Sequence, residues 1–391
     1  MAVKIVRQTN KIALLGAPTS AAAMSAGHEG APTALRAAGL VDRLKTIGYA
    51  VADLGDDPVQ LYKPDEESPR ARNLSRVIAS LESLKPRVEL AVKSAALPLI
   101  LAGDCSVALA TVAGVRRYFR KVSMIYMDRD ADLNTPATTP SGCVDGMVVS
   151  HLAGRGAAEL VRFWGEPPLI REPDLALFGV ARLDPDEEKL LATSPLRRYL
   201  ASDVQRQGAA AAAHAAIDRI RGNGYQFVLH FDVDVIADFS ATNYPGSGGL
   251  SLAEVREALL VFAQQPELAA IEVSAYNPTK DPDGSGAKLI IDLLVEVLGA
   301  RLAALQAAEA ALAPPPVAAA AAAAQTAVPA PEKNNSAPNQ SDQVDQSEQA
   351  PVAAPGEAWS SDSLDLESDA VSSDESSESS ESSEESSGSH S

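Results

Sequence analysis

Residues Val122–Asp132 read VSMIYMDRDAD, an apolar run that leads directly into Asp128, Asp130 and Asp132. A short apolar run bounded by polar residues predicts a buried β-strand. Alternate residues of an extended chain share a face, so the three carboxylates converge near the carboxyl end of the strand. Carboxylates this close repel one another, and some of them must bind protons unless a cation lies between them. The stretch therefore predicts a divalent-metal site at the end of a strand.

A second pair of carboxylates, Asp232 and Asp234, follows the apolar run Gln226–Phe231 in the same way. The predicted strands are Lys11–Gly16, Tyr49–Leu54, Leu97–Ala102, Val122–Met127, Asp174–Val180, Gln226–Phe231 and Ala269–Ser274. The predicted helices are Pro32–Ile47, Pro69–Ala96, Ser106–Tyr118, one that begins at Asp186, Gly208–Arg221, Ser251–Gln265 and Gly286–Ala311. This alternation predicts a three-layer α/β/α fold around a mostly parallel, doubly wound sheet. Ligand sites of such sheets lie beyond the carboxyl ends of the strands, where both acidic clusters fall.

The composition divides the chain into a folded part and an acidic end. The 391 residues are 46% apolar but only 4% aromatic, so the predicted core consists mainly of Ala, Leu, Val and Ile. Most of the net charge of −19 follows Lys333, where no Lys or Arg occurs. We predict one domain over residues 8–305, an Ala/Pro-rich and polar linker over 306–359, and a Ser/Glu/Asp tail over 360–391. Both end segments bury too little apolar surface to fold, so they are predicted to be disordered.

Several classes of protein are excluded by what the sequence lacks. The folded part has no basic surface of the kind that binds nucleic acid. Two cysteines are too few for a disulfide framework. No apolar segment is of signal-peptide type or long enough to span a bilayer. We therefore expect a cytoplasmic protein that binds neither nucleic acid nor membrane.

Three motifs, in the right order, resemble the ureohydrolase family, of which arginase and agmatinase are members. The family's Gly-Gly-Asp-His-Ser corresponds to residues 102–106 (AGDCS), its Asp-Ala-His-x-Asp to residues 128–132 (DRDAD), and its Ser-x-Asp-x-Asp to residues 230–234 (HFDVD). Asn243-Tyr244-Pro245 replaces a longer arginase loop and resembles the bacterial arginase-like branch. The resemblance covers roughly Lys11–Leu302 and implies the ureohydrolase fold.

The resemblance also implies two manganese ions bridged by a hydroxide that attacks a guanidinium carbon. Six residues are implied as ligands: Asp128 and Asp232 bridging both ions, Cys105 and Asp132 on one ion, and Asp130 and Asp234 on the other. Cys105 and Asp130 stand where the family has histidines. Both residue types can bind metal, which favours a remodelled site over a lost one. Oxygen ligands suit Mn²⁺ or Mg²⁺, whereas a cysteine favours zinc.

Catalytic and substrate-binding residues follow from the same resemblance. Asp145 stands where the family has a proton-shuttling histidine, and an aspartate can take that role only if its pKa is raised. Glu272 matches the acid that binds the guanidinium. The residues implied for the amino-acid end are Asn134 and Ser141 for the α-carboxylate and Asp184 and Glu187 for the α-amino group. Asp184 followed by Pro185 is also typical of a helix N-cap.

None of the family's three histidines is retained. The histidines of this chain lie at other positions, and we interpret them as structural or solvated: His28, His151, His214, His230 and His390. Cys143 replaces an asparagine of the carboxylate site, and we interpret it as a small space-filling residue. A redox-linked pair with Cys105 stays open as an alternative.

Two functions from different classes are consistent with these residues. One is a metal-dependent hydrolase that acts on the C–N bond of a guanidino compound, an α-amino acid such as arginine. The alternative is a catalytically silent relative that binds partners or an active paralogue, with its acidic tail as the contact. A third, weaker interpretation is a sensor that binds its ligand without turnover. Since the family forms trimers or hexamers, the resemblance implies a homo-oligomer.

Overall fold

The computed structural model describes residues 7–221 and 226–312. Within these residues eight strands form one sheet, in which every neighbouring pair is parallel. The strands are β1 (Lys11–Ala17), β2 (Ala50–Asp56), β3 (Leu97–Ala102), β4 (Val122–Met127), β5 (Leu175–Val180), β6 (Arg197–Leu200), β7 (Gln226–Asp232) and β8 (Leu268–Ser274). Their order across the sheet is β2-β1-β3-β8-β7-β4-β5-β6.

Helices cover both faces of the sheet. They are α1 (Ala31–Ala37), α2 (Leu40–Thr46), α3 (Leu74–Lys93), α4 (Ala108–Arg116), α5 (Val148–Leu152), α6 (Ala158–Val161), α7 (Pro185–Thr193), α8 (Ala201–Gln207), α9 (Ala209–Arg221), α10 (Leu252–Ala263) and α11 (Ser285–Leu312). One core contains Phe262 of α10 and Leu294 of α11, and a second core on the other face contains Val88 of α3 and Val112 of α4. The predicted three-layer α/β/α fold with a parallel sheet is confirmed.

The boundaries agree best where the sequence is most apolar. The bounds of β3 and β4 are those predicted from their uninterrupted apolar runs. The predicted helix Pro32–Ile47 is two helices instead, because Gly39 adopts a φ of 91°, which ends α1 and begins α2. Strand β6 escaped prediction since its sequence, Arg-Arg-Tyr-Leu, lacks an apolar run and it forms the edge of the sheet.

Four neighbouring strands at the centre of the sheet carry the predicted site. Cys105 follows β3 and Asp128 follows β4, while Asp232 and Ser274 end β7 and β8. Strands β3 and β4 are consecutive in the chain but lie on either side of the β8–β7 pair. Such a change of direction leaves a crevice between the loops that follow the strands. The crevice brings together residues that are distant in the chain, such as Cys105 and Ser274, which are 169 positions apart.

Helix α11 continues to Leu312, so residues 306–312 of the predicted linker are helical rather than disordered. Their Ala-rich sequence explains this, because alanine has the highest intrinsic helix propensity. The rest of the predicted linker and the entire predicted tail, with His390, lie outside the described residues. The domain limits of 8–305 stay a prediction. No helix in the described ranges is both long and apolar enough to cross a membrane.

Candidate metal centre

A small cavity of about 60 Å³ opens at the carboxyl ends of β3, β4 and β7. Its walls contain all six residues that the sequence proposed as metal ligands: Cys105, Asp128, Asp130, Asp132, Asp232 and Asp234. Ser141, Cys143 and Asp145 from the loop before α5 also line it, together with Arg182 and Tyr244. Carboxylates from two strand ends and the thiol that follows a third therefore face one another.

Two tight turns fix the first carboxylate of each acidic cluster. Asp128 Oδ1 accepts a hydrogen bond from the backbone N–H of Asp130 at 2.7 Å. Asp232 Oδ1 accepts one from the backbone N–H of Asp234, also at 2.7 Å. Aspartates commonly bond the backbone two residues on, which holds the side chain and the turn in one conformation. The D-x-D spacing of both motifs therefore determines the direction of the first carboxylate as well as the position of the second.

One set of potential ligands combines sulfur, nitrogen and oxygen. Ligand atoms of Cys105, Asp128, His230 and Asp232 all lie within 4.8 Å of one another, and all four residues are buried. We call these four residues the thiol–imidazole group. The Cys105 thiol donates to Asp232 Oδ2 at 2.8 Å and lies 3.4 Å from the Ser274 hydroxyl oxygen. The presence of His230 here revises its interpretation as a structural or solvated residue, because it lies beside three of the predicted ligands.

His230 is held by contacts on both sides of its ring. It stacks on Tyr126 of β4, with ring centroids 4.1 Å apart and planes 5° from parallel. Its Nδ1 lies 2.9 Å from Glu272 Oε1, and Glu272 Oε2 accepts a hydrogen bond of 2.6 Å from Thr111 of α4. A carboxylate only accepts hydrogen bonds, so the neutral tautomer that matches this contact has its hydrogen on Nδ1 and a lone pair on Nε2. That Nε2 lies 3.3 Å from the Ser274 hydroxyl oxygen, which Cys105 also approaches.

The present contacts of Glu272 are with neighbouring side chains, and the role that the sequence suggested for it stays a prediction. His230 and Glu272 are register partners in β7 and β8, so their side chains lie side by side on the face covered by α4. Glu272 is fully buried, and both carboxylate oxygens already have partners. Among the described residues it does not line the cavity. In this structure it orients His230 and is not presented to a guanidinium group.

A second set of potential ligands contains only carboxylates. Asp128, Asp130 and Asp234 also have ligand atoms within 4.8 Å of one another, and we call them the carboxylate group. Two arginines already lie against it. Arg129 Nη2 is 3.3 Å from Asp234 and 3.7 Å from Asp130, and the Arg182 guanidinium pairs with Asp130. These two arginine side chains therefore supply positive charge to the carboxylate group.

Burial raises the pKa of most acids around the cavity. Removal from water, followed by repulsion from neighbouring carboxylates, raises the pKa of Asp128, Asp132 and Asp232 well above the usual range. The same causes, burial first and then Asp232, raise the pKa of the Cys105 thiol. Burial and Asp130 raise the pKa of Asp234 to about 6, although Arg129 opposes this. A divalent cation in the cavity would lower all of these pKa values, because it favours the charged forms.

One oxygen atom in the cavity is left without a partner. Asp234 Oδ1 is buried and forms no hydrogen bond to any described residue. Leaving a buried carboxylate oxygen unpaired is unfavourable. The mixed donors of the thiol–imidazole group fit a bound divalent cation, whereas this unpaired oxygen belongs to the carboxylate group.

Asp145 and Asp132 also line the cavity. Asp145 accepts hydrogen bonds from the backbone N–H of Cys105 at 2.7 Å and from the Tyr244 hydroxyl at 2.8 Å. Burial, followed by the nearby charge of Asp104, raises the pKa of Asp145 to about 7. Asp132 adopts a left-handed conformation with φ of 50° and accepts a hydrogen bond from Tyr126. It lines the cavity but belongs to neither ligand set.

The residues predicted for the amino-acid end are only partly brought to the cavity. Ser141 lines it, but Asn134, Asp184 and Glu187 bind one another and the nearby backbone. Asn134 Nδ2 donates to Asp184 at 2.8 Å, and the two acids form a capping box at the start of α7. Glu187 also accepts from the backbone N–H of Leu133 at 2.8 Å. Asp184 is therefore the N-cap residue of α7, as the alternative interpretation predicted.

Sequence reasoning missed several residues of the site, among them Arg129, Arg182 and His230, which lies beside Cys105 and Asp232. Arg129 was visible inside the DRDAD motif, where the family has alanine, and that substitution was the signal that could have been used. His230 replaces the family's serine two residues before Asp232. Because alternate strand residues share a face, the i−2 spacing from Asp232 placed this histidine near the cluster. The environment of Arg182 depends on a contact between two loops, for which the sequence carries no such signal.

Comparison with known proteins agrees with this fold. Residues 10–299 match the family model described as the Arginase family. The arginase of Bacillus subtilis (strain 168) is 30% identical over 294 residues, which cover 74% of this chain and 98% of the relative. The arginase of Bacillus caldovelox is 29% identical over 297 residues, covering 74% and 99%.

Solved structures give the same result. The crystal structure of arginase from Bacillus subtilis matches with a TM-score of 0.68 and 28% identity, covering 74% of this chain and 98% of that one. Formimidoylglutamase from Bacillus subtilis matches with a TM-score of 0.61 and 19% identity, covering 75% and 87%, and supports the fold alone. The family resemblance read from the three motifs is confirmed: this chain belongs to the arginase family, a family of metal-dependent hydrolases that act on amidino C–N bonds.

Proposed function

We propose that this protein hydrolyses the amidino C–N bond of a guanidino compound that carries an α-amino acid group, such as arginine. The observation that carries this proposal is the cavity at the carboxyl ends of the strands, where thiol, imidazole and carboxylate donors converge. A divalent ion held there would lower the pKa of a bound water and so supply a nucleophile at neutral pH. The buried acids around the cavity would be stabilised by the same ion.

Asp145 is the residue proposed to hold and move a proton. Its carboxylate lines the cavity, and in the metal-free chain burial and Asp104 raise its pKa to about 7, which is the range a proton-transferring group needs near neutral pH. The Tyr244 hydroxyl donates to Asp145 Oδ2, and the Cys105 backbone N–H donates to Oδ1. These two contacts fix the orientation of the carboxyl group. Asp145 would thus replace the histidine that the family has at this position.

The amino-acid end of the substrate is proposed to lie beside Ser141 and Arg182. Both residues line the cavity, and the Arg182 side chain is 64% exposed. A guanidinium at the mouth attracts a carboxylate, which favours an α-amino acid over an amine that lacks this group. Asn134, Asp184 and Glu187 would take part only if they exchanged their present contacts for the substrate.

Manganese is the metal that the family resemblance suggests, with two ions per chain in a family-like arrangement. The acidic ligands support Mn²⁺, while Cys105 supports a softer ion. A homo-oligomer, a trimer or a hexamer, is proposed on the same resemblance. Sedimentation velocity of the full chain would test the assembly, and a single monomeric species would contradict it.

A second candidate function is a catalytically silent member of the family that binds partners. One observation favours it, namely that the residues expected to recognise the amino group already bind one another through the capping box of α7. The absence of the family's three histidines from their usual positions points the same way. In this alternative, arginine and divalent ions would leave the thermal stability of the protein unchanged.

The deciding experiment combines elemental analysis with an assay of urea release. The full chain is loaded with Mn²⁺ or Zn²⁺ and then incubated with arginine and, as a matched control, with agmatine, which lacks the α-carboxylate. Urea from arginine in excess of urea from agmatine is the expected result. Bound metal without urea from either compound would overturn the proposed reaction, and a chain that binds no metal would leave the silent alternative as the function.

A further inference from the structure

We propose that this chain holds a single divalent ion of zinc type between Cys105, Asp128, His230 and Asp232, and that the guanidinium of Arg129 takes the place of a second ion. This proposal rests on the proposed metal centre but on no reaction. It differs from the two-manganese arrangement that the family resemblance suggests in two ways. His230 is added as a ligand, and the positive charge of the second ion is supplied by the Arg129 side chain.

The chemistry of the donors separates the two ligand sets. The thiol–imidazole group offers one sulfur, one ring nitrogen and two carboxylates, which are the atoms that zinc binds in proteins. The carboxylate group offers oxygen alone, which suits harder ions such as Mn²⁺ or Mg²⁺. Zinc would displace the proton of the Cys105 thiol to solvent, since the thiolate is the ligand.

His230 is oriented as histidine ligands of metals usually are. A ligating histidine typically donates its second ring N–H to a carboxylate or a carbonyl, which fixes the tautomer and the direction of the ring. Here Nδ1 bonds Glu272 Oε1 at 2.9 Å, and Thr111 holds the other oxygen of that carboxylate. Nε2 and the Cys105 sulfur are both within hydrogen-bond distance of the Ser274 hydroxyl oxygen, at 3.3 and 3.4 Å, so the two donors lie near each other.

The charges around the two sets also differ. Among the described residues, no Lys or Arg forms an ion pair with Asp128 or Asp232. Asp130 and Asp234, in contrast, are paired with Arg129, and Asp130 also with Arg182. Among the described residues, the thiol–imidazole group therefore has no cationic side chain of its own, whereas Asp130 and Asp234 of the carboxylate group do.

Arg129 is built into its position. Its side chain is buried, and Nη2 donates to the backbone carbonyl of Tyr244 at 2.7 Å. A Cβ on Gly246 would lie 1.9 Å from Arg129 Nη1, so glycine at residue 246 leaves room for the guanidinium where it stands. The loop from Asn243 to Gly248 thus contacts the arginine at Tyr244 and Gly246.

Metal stoichiometry tests the number of ions. The full chain is stripped with chelator, loaded with excess Zn²⁺ together with Mn²⁺, separated from free metal and analysed for its elements. We expect one zinc per chain and no manganese. Arg129→Ala restores the family's residue, and we expect this variant to bind a second ion. Two ions in the unsubstituted protein, or none, would overturn the proposal, as would a second ion that fails to appear in Arg129→Ala.

The spectrum of the Co²⁺-loaded protein tests the ligands without any assay of activity. A thiolate bound to Co²⁺ gives a charge-transfer band in the near ultraviolet, so the unsubstituted protein should show this band. Cys105→Ser should abolish it, while Cys143→Ser, which alters the other thiol of the cavity, should retain it. Absence of the band from the unsubstituted protein contradicts a sulfur ligand and needs no variant to interpret.

Ligation by His230 is tested through its carboxylate partner, because removing the ring itself could unfold the chain. Glu272→Gln keeps the size and one hydrogen bond of the side chain but weakens the hold on Nδ1–H. Loss of such a partner typically lowers metal affinity about 10- to 100-fold. We expect a Co²⁺ affinity reduced within this range, with the charge-transfer band retained at saturation. An affinity equal to that of the unsubstituted protein would contradict His230 as a ligand.

Discussion

The two ligand sets of the cavity share Asp128, yet the negative charge of their buried carboxylates is compensated in different ways. The carboxylate group is balanced by Arg129 and Arg182, which the chain carries itself. The thiol–imidazole group has no such cation among the described residues and instead offers donors to an ion from solution. The pKa values reflect this difference. Arg129 opposes the rise at Asp234, whose pKa reaches about 6, while the pKa of Asp232 is raised well above its usual range.

Buried carboxylates therefore do not by themselves predict how many metal ions a site binds. Each carboxylate needs a neighbouring positive charge or a proton, and an arginine can provide that charge as well as an ion can. What distinguishes the two sets is the presence of donors that an arginine cannot use, namely a thiol and an imidazole lone pair. Comparing the two sets thus compares a cation that is part of the chain, the Arg129 guanidinium, with a metal ion that can exchange with solution.

The largest effect should come from removing the fixed cation. In the metal-free protein, Arg129→Ala leaves Asp234 buried without its partner, which should lower the free energy of unfolding by about 3–5 kcal/mol. Arg182→Ala is the matched control, because Arg182 also pairs with Asp130 but is 64% exposed; it should cost less than about 1 kcal/mol. Urea-induced unfolding after chelation measures both. Equal losses for the two variants would show that burial of Arg129 does not matter.

A smaller effect should follow from disturbing the support of His230. Thr111→Val removes the hydrogen bond of 2.6 Å to Glu272 and leaves one buried oxygen unpaired. The expected loss is about 1–3 kcal/mol in the free energy of unfolding, measured by urea-induced unfolding of the metal-free protein. Thr33→Val alters an exposed threonine and should change stability by no more than about 0.5 kcal/mol. If Thr111→Val were also neutral, the Glu272–His230 pair would not depend on α4.

The third effect is a dependence of stability on pH. Since the pKa of Asp145 is raised to about 7 in the folded protein, this group binds more protons folded than unfolded between about pH 4 and pH 7. Its contribution to stability is therefore present at low pH and is lost as pH rises through 7. In metal-free protein, the stability of Asp145→Asn relative to the unsubstituted chain should increase from pH 5 to pH 8.

Comparing the variant with the unsubstituted chain at each pH removes the opposing effect that two buried histidines have on the pH dependence of stability. Burial lowers the pKa of His28 to about 3 and of His151 to about 4, so these groups destabilise the folded chain as pH falls below about 6.5. They are present in both proteins and cancel in the difference. Asp186→Asn, at an exposed position, should show no pH-dependent difference, and thermal unfolding at each pH measures all three proteins. A flat difference for Asp145→Asn would contradict a raised pKa at this residue.

The sequence was most informative about features that depend on residues within a single strand. The apolar runs gave the bounds of β3 and β4, and the D-x-D spacing predicted carboxylates at one end of the sheet, because both patterns depend on neighbours along the chain. Gly39 broke a predicted helix, since periodicity alone does not reveal a φ of 91°. The edge strand β6 has too few apolar residues to be recognised without its partner.

The parts that could not be predicted depend on the register between strands. Whether Glu272 faces a substrate or a neighbouring side chain is decided by its pairing with His230 across β7 and β8. Similarly, Arg129 reaches Asp234 and Tyr244 only because the loops after β4 and β7 meet above the sheet. A single sequence carries no record of which strands become neighbours when they are more than a hundred residues apart.

The location of His230 on a strand has a consequence for how such sites change during evolution. A loop residue reaches its target only if the whole loop keeps its length and shape, whereas the residue two places before a strand-end aspartate is aimed by the pleat of the sheet itself. One substitution there can supply an imidazole without any insertion or deletion. Searches for active members among sequences that have lost their loop histidines should therefore inspect the strand positions beneath the acidic motifs before such sequences are classed as degenerate.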